Sequence, residues 1–183
     1  MKPILQVEDD PNDIFLLQHA LKKAGAENPI QVVIDGQQAI DYLLAAGKFA
    51  NRARFPLPCL VLLDLNLPGL PGLDVLRWIR QESGIPLVVL ILSTSGEDAD
   101  IAAAYRLGAN GFLVKPAQAS KLVDMAKAIN DFWLTHNISP KEAHEMLEAP
   151  RPARGRTTPF PVKPMLSVPW TAVKNQTMAT QNK

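Results

Sequence analysis

The chain has 183 residues, of which 47% are hydrophobic and 20% charged, and its formal net charge is +1. This apolar content is sufficient for a folded core and excludes disorder throughout the chain. Its single cysteine, Cys59, excludes an internal disulfide, and no apolar run is long enough for a membrane helix. Acidic residues follow the N-terminus too closely for a secretory signal. We therefore expect a cytoplasmic protein.

Short apolar segments alternate with amphipathic segments along most of the chain. The pattern predicts, in chain order, a strand over 4–7, a helix over 11–24, a strand over 30–34, a helix over 36–46, a strand over 59–63, a helix over 73–81, a strand over 87–92, a helix over 98–107, a strand over 111–114 and a helix over 118–133. Strands that are apolar on both faces need helices on both sides, so we expect a doubly wound, parallel α/β sheet.

Polar residues follow four of these predicted strands. They are Glu8, Asp9 and Asp10 after the first, Asp64 after the third, Ser93 after the fourth and Lys115 after the fifth. Because ligands of open α/β sheets bind beyond the carboxyl ends of the strands, we expect these side chains to converge there.

Such converging carboxylates repel one another and need a cation, and a purely oxygen ligand set favours Mg²⁺. A carboxylate beside Mg²⁺, a lysine and a hydroxyl suits phosphoryl transfer, with the carboxylate as acceptor. Taken singly, Asp64 is also compatible with a cap or turn, and Lys115 with an ordinary surface lysine.

Four motifs together resemble the receiver domain of two-component response regulators, over residues 3–134. They are Val-Glu-Asp-Asp at 7–10, Leu-Leu-Asp-Leu-Asn-Leu-Pro-Gly at 62–69 with Gly72 following, Leu-Ser-Thr at 92–94, and Val-Lys-Pro at 114–116. The resemblance implies a flavodoxin-like (βα)5 fold with the strand order 2-1-3-4-5. Pro71 departs from the family, which commonly has an acidic or polar residue before that glycine.

The resemblance also implies the role of each acid at the predicted site. Asp64 is the expected phosphoacceptor for a partner histidine kinase. Asp9, Asp64 and the backbone carbonyl of Asn66 are the expected Mg²⁺ ligands, and Glu8 is expected to act through water. Beyond Mg²⁺-dependent self-phosphorylation and slow autodephosphorylation, no enzymatic turnover is expected, and phosphodonors are the only small-molecule substrates.

Two further residues are implied to contact the phosphoryl group, and one to respond to it. Ser93 and Lys115 are the expected contacts. Ser93 and the aromatic Phe112 are the expected switch pair, moving together after phosphorylation. By the same resemblance we expect the Lys115–Pro116 peptide bond to be cis.

A narrower resemblance is to single-domain regulators that partner phytochrome-type sensor kinases. It rests on the long stretch 47–58, the start of the first helix at Pro11-Asn12-Asp13, and Phe132-Trp133-Leu134. The main alternative is a receiver-like interaction scaffold that is never phosphorylated. A flavin protein lacks support because acids replace a phosphate-binding loop, and a haloacid-dehalogenase-type hydrolase lacks support because Asn66 replaces its second acid.

The C-terminal part of the chain differs in composition. Residues 1–148 hold 13 of the Lys/Arg and all 18 Asp/Glu, whereas 149–183 hold six Lys/Arg, no acid and six of the 16 prolines. We predict a receiver domain over 1–138, a short helix or connector over 139–149, and a basic, Pro-rich tail over 150–183 that is extended or disordered, either solvated or docked on a partner.

The expected output is contact with other proteins. The tail is too short for a DNA-binding domain, so we expect no nucleic-acid partner, and without a long apolar run we expect no membrane partner. Phe132, Trp133 and Leu134 are consecutive at the end of the last predicted helix, so at least one large apolar group stays uncovered. We expect a homodimer through the face formed by helix 4, strand 5 and helix 5. The alternative is a monomer in which Met165, Leu166 or Trp170 of the tail covers Phe132 and Leu134.

Overall fold

The structure is a computed structural model, and it describes residues 1–138. The short helix or connector over 139–149 and the basic tail over 150–183, with its alternative role as a cover for the last helix, lie outside the described residues and stay predictions.

The described residues form one five-stranded parallel sheet with five helices. The strands are Ile4–Val7 (β1), Ile30–Val33 (β2), Leu60–Asp64 (β3), Val88–Ser93 (β4) and Gly111–Val114 (β5). The helices are Pro11–Lys23 (α1), Gly36–Leu44 (α2), Gly72–Gln81 (α3), Asp98–Leu107 (α4) and Ala119–Ile129 (α5), with a 3-10 turn at Gly47–Phe49 and a π-helical segment at Asn130–His136. The strand order is β2-β1-β3-β4-β5, which confirms the predicted doubly wound fold.

Alternating residues of the central strands fill two apolar cores on opposite faces of the sheet. On one face, Ile4, Leu62 and Leu92 pack with residues of α1 and α5. On the other face, Leu5 and Leu63 pack with residues of α2, α3 and α4. The continuous apolar pattern of β3 follows from this burial on both faces.

The start of α1 is fixed by its capping residue. The Asp10 carboxylate accepts hydrogen bonds from the backbone N–H groups of Asn12, at 2.7 Å, and Asp13, at 3.4 Å. Pro11 follows as the first helical residue, where no backbone N–H is needed. The helix ends at Lys23, and Gly25 follows the C-cap Ala24 with a φ of +84° that is accessible to glycine without strain. The predicted start of this helix is therefore confirmed, and its end lies one residue before the predicted residue 24.

Gly72 brings the start of α3 against the end of β3. Its N–H donates to the carbonyl of Leu65 at 3.0 Å. A Cβ added at Gly72 would collide with the backbone carbonyl of Asp64. The glycine is thus needed for the close approach that fixes the backbone beside Asp64.

Two local predictions are wrong. The last helix is not a regular α-helix to residue 133, because α5 ends at Ile129 and a wider, π-helical turn follows. Near its end, the Asn137 N–H donates to the Phe132 carbonyl at 2.7 Å. At its start, the Asn130 side chain donates to the Ala24 carbonyl, at the end of α1, at 3.1 Å. The Lys115–Pro116 bond is trans, as are all peptide bonds of residues 1–138, in line with the ordinary trans preference of prolyl bonds.

Phe132 is left 57% exposed, whereas Trp133 and Leu134 pack against the core. The predicted uncovered apolar group is therefore Phe132. None of the helices within residues 1–138 has the combination of length and apolar character that a bilayer crossing requires.

Candidate functional site

The parallel register brings the ends of the strands to one edge of the sheet. It pairs Val7 with Leu63, Asp64 with Leu92, and Ser93 with Val114. Glu8 and Lys115 follow directly after β1 and β5. The structure therefore brings together Glu8, Asp64, Ser93 and Lys115, the residues that the sequence singled out at the strand ends.

Asp64 is the last residue of β3, and only 6% of it is exposed. Its Oδ1 accepts a hydrogen bond from the Leu65 N–H at 2.8 Å. Its Oδ2 lies 3.6 Å from Nζ of Lys115. One carboxylate oxygen is thus held by the backbone, while the other faces a cation.

Lys115 reaches across the sheet edge to two further acids. Its Nζ donates to Glu8 Oε2 and, at 2.8 Å, to Asp13 Oδ2. The Lys115 side chain is only 11% exposed, so these contacts form in a partly dehydrated environment. Three carboxylates therefore surround one ammonium group.

Asp13 is not among the site residues predicted from the sequence. Asp13 lies in the first turn of α1, which starts directly after the short segment that follows β1. A helix that begins so close to a strand end returns its first-turn side chains to the same edge. This spacing was the available signal, but it does not by itself select Asp13 over Asn12.

Burial and charge act against each other in Glu8 and Lys115. Burial raises the pKa of Glu8, and the hydrogen bond and charge of Lys115 offset only part of this effect. Burial alone would lower the pKa of Lys115, but hydrogen bonds to Asp13 and Glu8, together with the charge of Asp64, outweigh it and raise the pKa. Lys115 therefore stays charged at neutral pH.

Three carboxylates form a cluster suited to a cation. Glu8, Asp9 and Asp64 each present an oxygen, and these oxygens lie within 4.8 Å of one another. Glu8 and Asp64 are buried, whereas Asp9 is exposed. Oxygen ligands at such spacing fit a hard divalent ion. Asn66 is exposed two residues beyond Asp64, and the role of its carbonyl stays a prediction.

Ser93 and Phe112 lie on neighbouring strands near this edge. Ser93 is 1% exposed, and its Oγ accepts a hydrogen bond from the Ser95 N–H at 3.1 Å. The Ser93 carbonyl accepts from the Lys115 N–H at 2.8 Å. Phe112 on β5 is partly buried against the core on the α2–α4 side of the sheet. Their predicted roles in switching stay predictions.

A family model described as the response regulator receiver domain matches residues 4–127. The chain belongs to this family. The match spans every strand and the four residues that meet at the sheet edge, and it confirms the family resemblance that the motifs indicated.

The chain is also similar to phytochrome-associated regulators. It is 37% identical over 134 residues to the response regulator Rcp1 of Synechocystis, which covers 73% of this chain and 89% of Rcp1. The phosphorylated cyanobacterial phytochrome response regulator RcpA matches with a TM-score of 0.70 and 38% identity, over 76% of this chain and 98% of RcpA.

The Mn²⁺-bound form of Rcp1 matches with a TM-score of 0.69 and 35% identity, over 76% of this chain and 99% of that structure. This receiver is thus related to single-domain regulators of phytochrome systems.

Proposed function

We propose that the protein is a single-domain response regulator that accepts a phosphoryl group on Asp64 from a partner histidine kinase. The observation that carries the proposal is the position of Asp64, buried at the strand ends with its Oδ2 3.6 Å from the Lys115 ammonium. A buried carboxylate with one oxygen facing a cation is suited to bind an incoming phosphoryl group.

In the transfer, a carboxylate oxygen of Asp64 forms a bond to phosphorus. The bond between phosphorus and the imidazole nitrogen of the kinase histidine breaks, and the imidazole leaves with the electron pair. Lys115 balances the charge on the phosphoryl oxygens. Ser93 donates its hydroxyl hydrogen to one of them, which is compatible with its present contact because its Oγ there acts only as an acceptor.

The acidic cluster is proposed to hold Mg²⁺. Asp9, Asp64 and the backbone carbonyl of Asn66 are the proposed ligands, and Glu8, whose Oε2 is engaged by Lys115, acts through water. When bound, the ion supplies positive charge opposite the phosphoryl oxygens and allows the acids to remain ionised. The Mn²⁺ in the related Rcp1 structure supports a divalent ion here.

Phosphorylation adds charge at Asp64, and Ser93 is proposed to move toward it. Because Ser93 pairs with Val114 across β4 and β5, its movement affects the strand that carries Phe112. The surface formed by α4, β5 and α5 then changes. This surface presents Tyr105 and Val114, which are 53% and 48% exposed.

The proposed kinase partner is of the phytochrome type, which the likeness to RcpA and Rcp1 supports. The proposed output is protein–protein contact, with a homodimer through the α4–β5–α5 surface. Sedimentation of the full chain should show a dimer that Tyr105→Ser weakens, while the exposed-site control Glu27→Gln leaves it unchanged. A monomer at all concentrations and in both phosphorylation states would refute the dimer.

Incubation with acetyl phosphate and Mg²⁺, followed by intact mass measurement, tests the central proposal. The wild type should gain one phosphoryl group, and Asp64→Asn should gain none. Asp131→Asn, at an exposed acid beyond α5, is the matched control and should behave as the wild type. A wild type that never gains the group would favour the unphosphorylated scaffold instead.

A further inference from the structure

Lys115 is held by an acid that belongs neither to a strand end nor to the acidic cluster. Asp13 Oδ2 accepts a hydrogen bond from Lys115 Nζ at 2.8 Å, whereas Asp64 Oδ2 lies 3.6 Å from the same nitrogen. Glu8 accepts the second hydrogen bond. In the resting chain, the short contacts of the ammonium group are therefore made to Asp13 and Glu8 rather than to the phosphoacceptor.

Asp13 is placed differently from the other acids. It lies in the first turn of α1, where the helix dipole favours a carboxylate. Its side chain is 33% exposed, compared with 5% for Glu8. It lines a crevice between α1 and α5, together with the apolar residues Leu16 and Met125. Its charge can therefore be removed without opening the core.

The Lys115 ammonium group cannot make a short contact with every nearby acid at the same time. Phosphorylation of Asp64 adds a group with about two negative charges and several acceptor oxygens to a carboxylate whose Oδ2 now lies 3.6 Å from Nζ. Movement of Nζ toward those oxygens lengthens a contact that holds it at rest. The Asp13 contact comes from a helix outside the sheet, so it opposes such a movement.

We propose that Asp13 is a positioning residue that competes with phosphorylated Asp64 for the Lys115 ammonium. It thereby sets how firmly the site retains a phosphoryl group. This inference rests on the proposed phosphorylation of Asp64. Asp13 takes no part in the covalent step, because the bonds that form and break join phosphorus to Asp64 and to the donor.

The test compares two variants that lose the same charge from the same edge. Asp13→Asn removes the contact to Lys115. Asp10→Asn is the matched control, because Asp10 does not contact Lys115 and asparagine caps a helix as well as aspartate does. The probe is beryllofluoride, a non-covalent mimic of the phosphoryl group, titrated into the full chain at saturating Mg²⁺ and followed by fluorine NMR.

Asp13→Asn should bind beryllofluoride about three- to tenfold more tightly than Asp10→Asn, the factor expected when a charged hydrogen bond made in only one of two states is lost. Their Mg²⁺ affinities, measured by amide NMR, should agree within about threefold, because the two variants carry the same charge. A merely structural effect of the Asp13 substitution would instead weaken the binding of both beryllofluoride and Mg²⁺. Asp13→Ala is a second variant with the same expected direction.

Equal beryllofluoride affinities for Asp13→Asn and Asp10→Asn would overturn the role of Asp13 and leave the phosphorylation of Asp64 intact. Weaker binding by Asp13→Asn would overturn it as well. A wild type that neither binds beryllofluoride nor gains a phosphoryl group on Asp64 would overturn the proposed function together with this inference.

Discussion

Arg80 on α3 and Asn110 before β5 form a hydrogen-bonded link across one face of the sheet. Arg80 Nη2 donates to Asn110 Oδ1 at 2.8 Å, and the same oxygen accepts from the Val89 N–H at 2.9 Å. Arg80 also donates to the carbonyls of Gly108, at 2.8 Å, and Leu87, at 2.9 Å. One side chain thus joins α3, the end of α4 and the start of β4.

Arg80→Met should lower the free energy of unfolding by about 2–3 kcal/mol, because it removes three charged hydrogen bonds, of which the one to the Leu87 carbonyl is partly buried. Urea denaturation of both proteins measures this difference. Arg77→Met is the control: Arg77 pairs only with Asp74 in the described contacts, and the two side chains are 49% and 39% exposed. Its loss should change stability by less than about 0.5 kcal/mol. Equal effects of the two substitutions would contradict the link.

Much of the fold could be predicted from the sequence because burial on both faces leaves a simple pattern. A strand such as β3, covered by helices on both sides, is apolar at every position until Asp64. Parallel strands place their carboxyl ends at one edge, so the sequence alone predicts that Glu8, Asp64 and Lys115 meet there.

Contacts that depend on the tilt of a helix could not be predicted in this way. Whether Asp13 reaches Lys115 depends on how α1 packs on the sheet, and periodicity does not fix that packing. The reach of Arg80 to Asn110 is of the same kind. The wide turn after α5 begins at Asn130, whose side chain contacts Ala24, a residue far away in the sequence.

Gln6 is a polar residue in an apolar core. It is 1% exposed on β1, and within the described part of the chain neither its amide nitrogen nor its amide oxygen has a hydrogen-bond partner. Gln6→Leu should therefore raise the free energy of unfolding by about 1–3 kcal/mol, because it removes the cost of burying an unpaired amide. Thermal and urea unfolding would measure this gain.

Gln31→Leu on the edge strand β2 is the comparison for Gln6, because Gln31 is only partly buried and pays no such cost. We expect a change within about 0.5 kcal/mol there. A loss of stability in Gln6→Leu would show that the amide is hydrogen-bonded in solution, for example to internal water.

The close approach at Gly72 predicts a combined effect on stability and on the site. In Gly72→Ala the new methyl group meets the Asp64 carbonyl and must displace the backbone at the end of β3. We expect a loss of about 2–4 kcal/mol in stability and a marked fall in phosphorylation by acetyl phosphate. Gly96→Ala is the control, since its Cβ would meet only a Val114 side-chain methyl at 3.2 Å. A fully stable and fully phosphorylated Gly72→Ala would contradict this prediction.

Tyr42 predicts a pH dependence of stability. It is fully buried on α2, its hydroxyl donates to the Pro56 carbonyl at 2.7 Å, and burial raises its pKa to about 12 from the ordinary 10.0. Between these two values the unfolded chain releases the phenol proton and the native chain retains it. Because the native state then binds more protons, its stability falls as the pH rises through this window.

Tyr42→Phe lacks this ionisation but also lacks the hydrogen bond. Near pH 8 it should be about 1–2 kcal/mol less stable than the wild type, because the Pro56 carbonyl loses its donor. Between about pH 10 and pH 12 the wild type should lose up to about 2–3 kcal/mol of stability relative to Tyr42→Phe, so that the difference between the two proteins shrinks or reverses. Other alkaline titrations, including that of Lys115, occur in both proteins and cancel in the comparison. Urea midpoints at matched pH values give the difference directly, and a gap that stays constant up to pH 12 would show that Tyr42 ionises equally easily in the folded and unfolded chains.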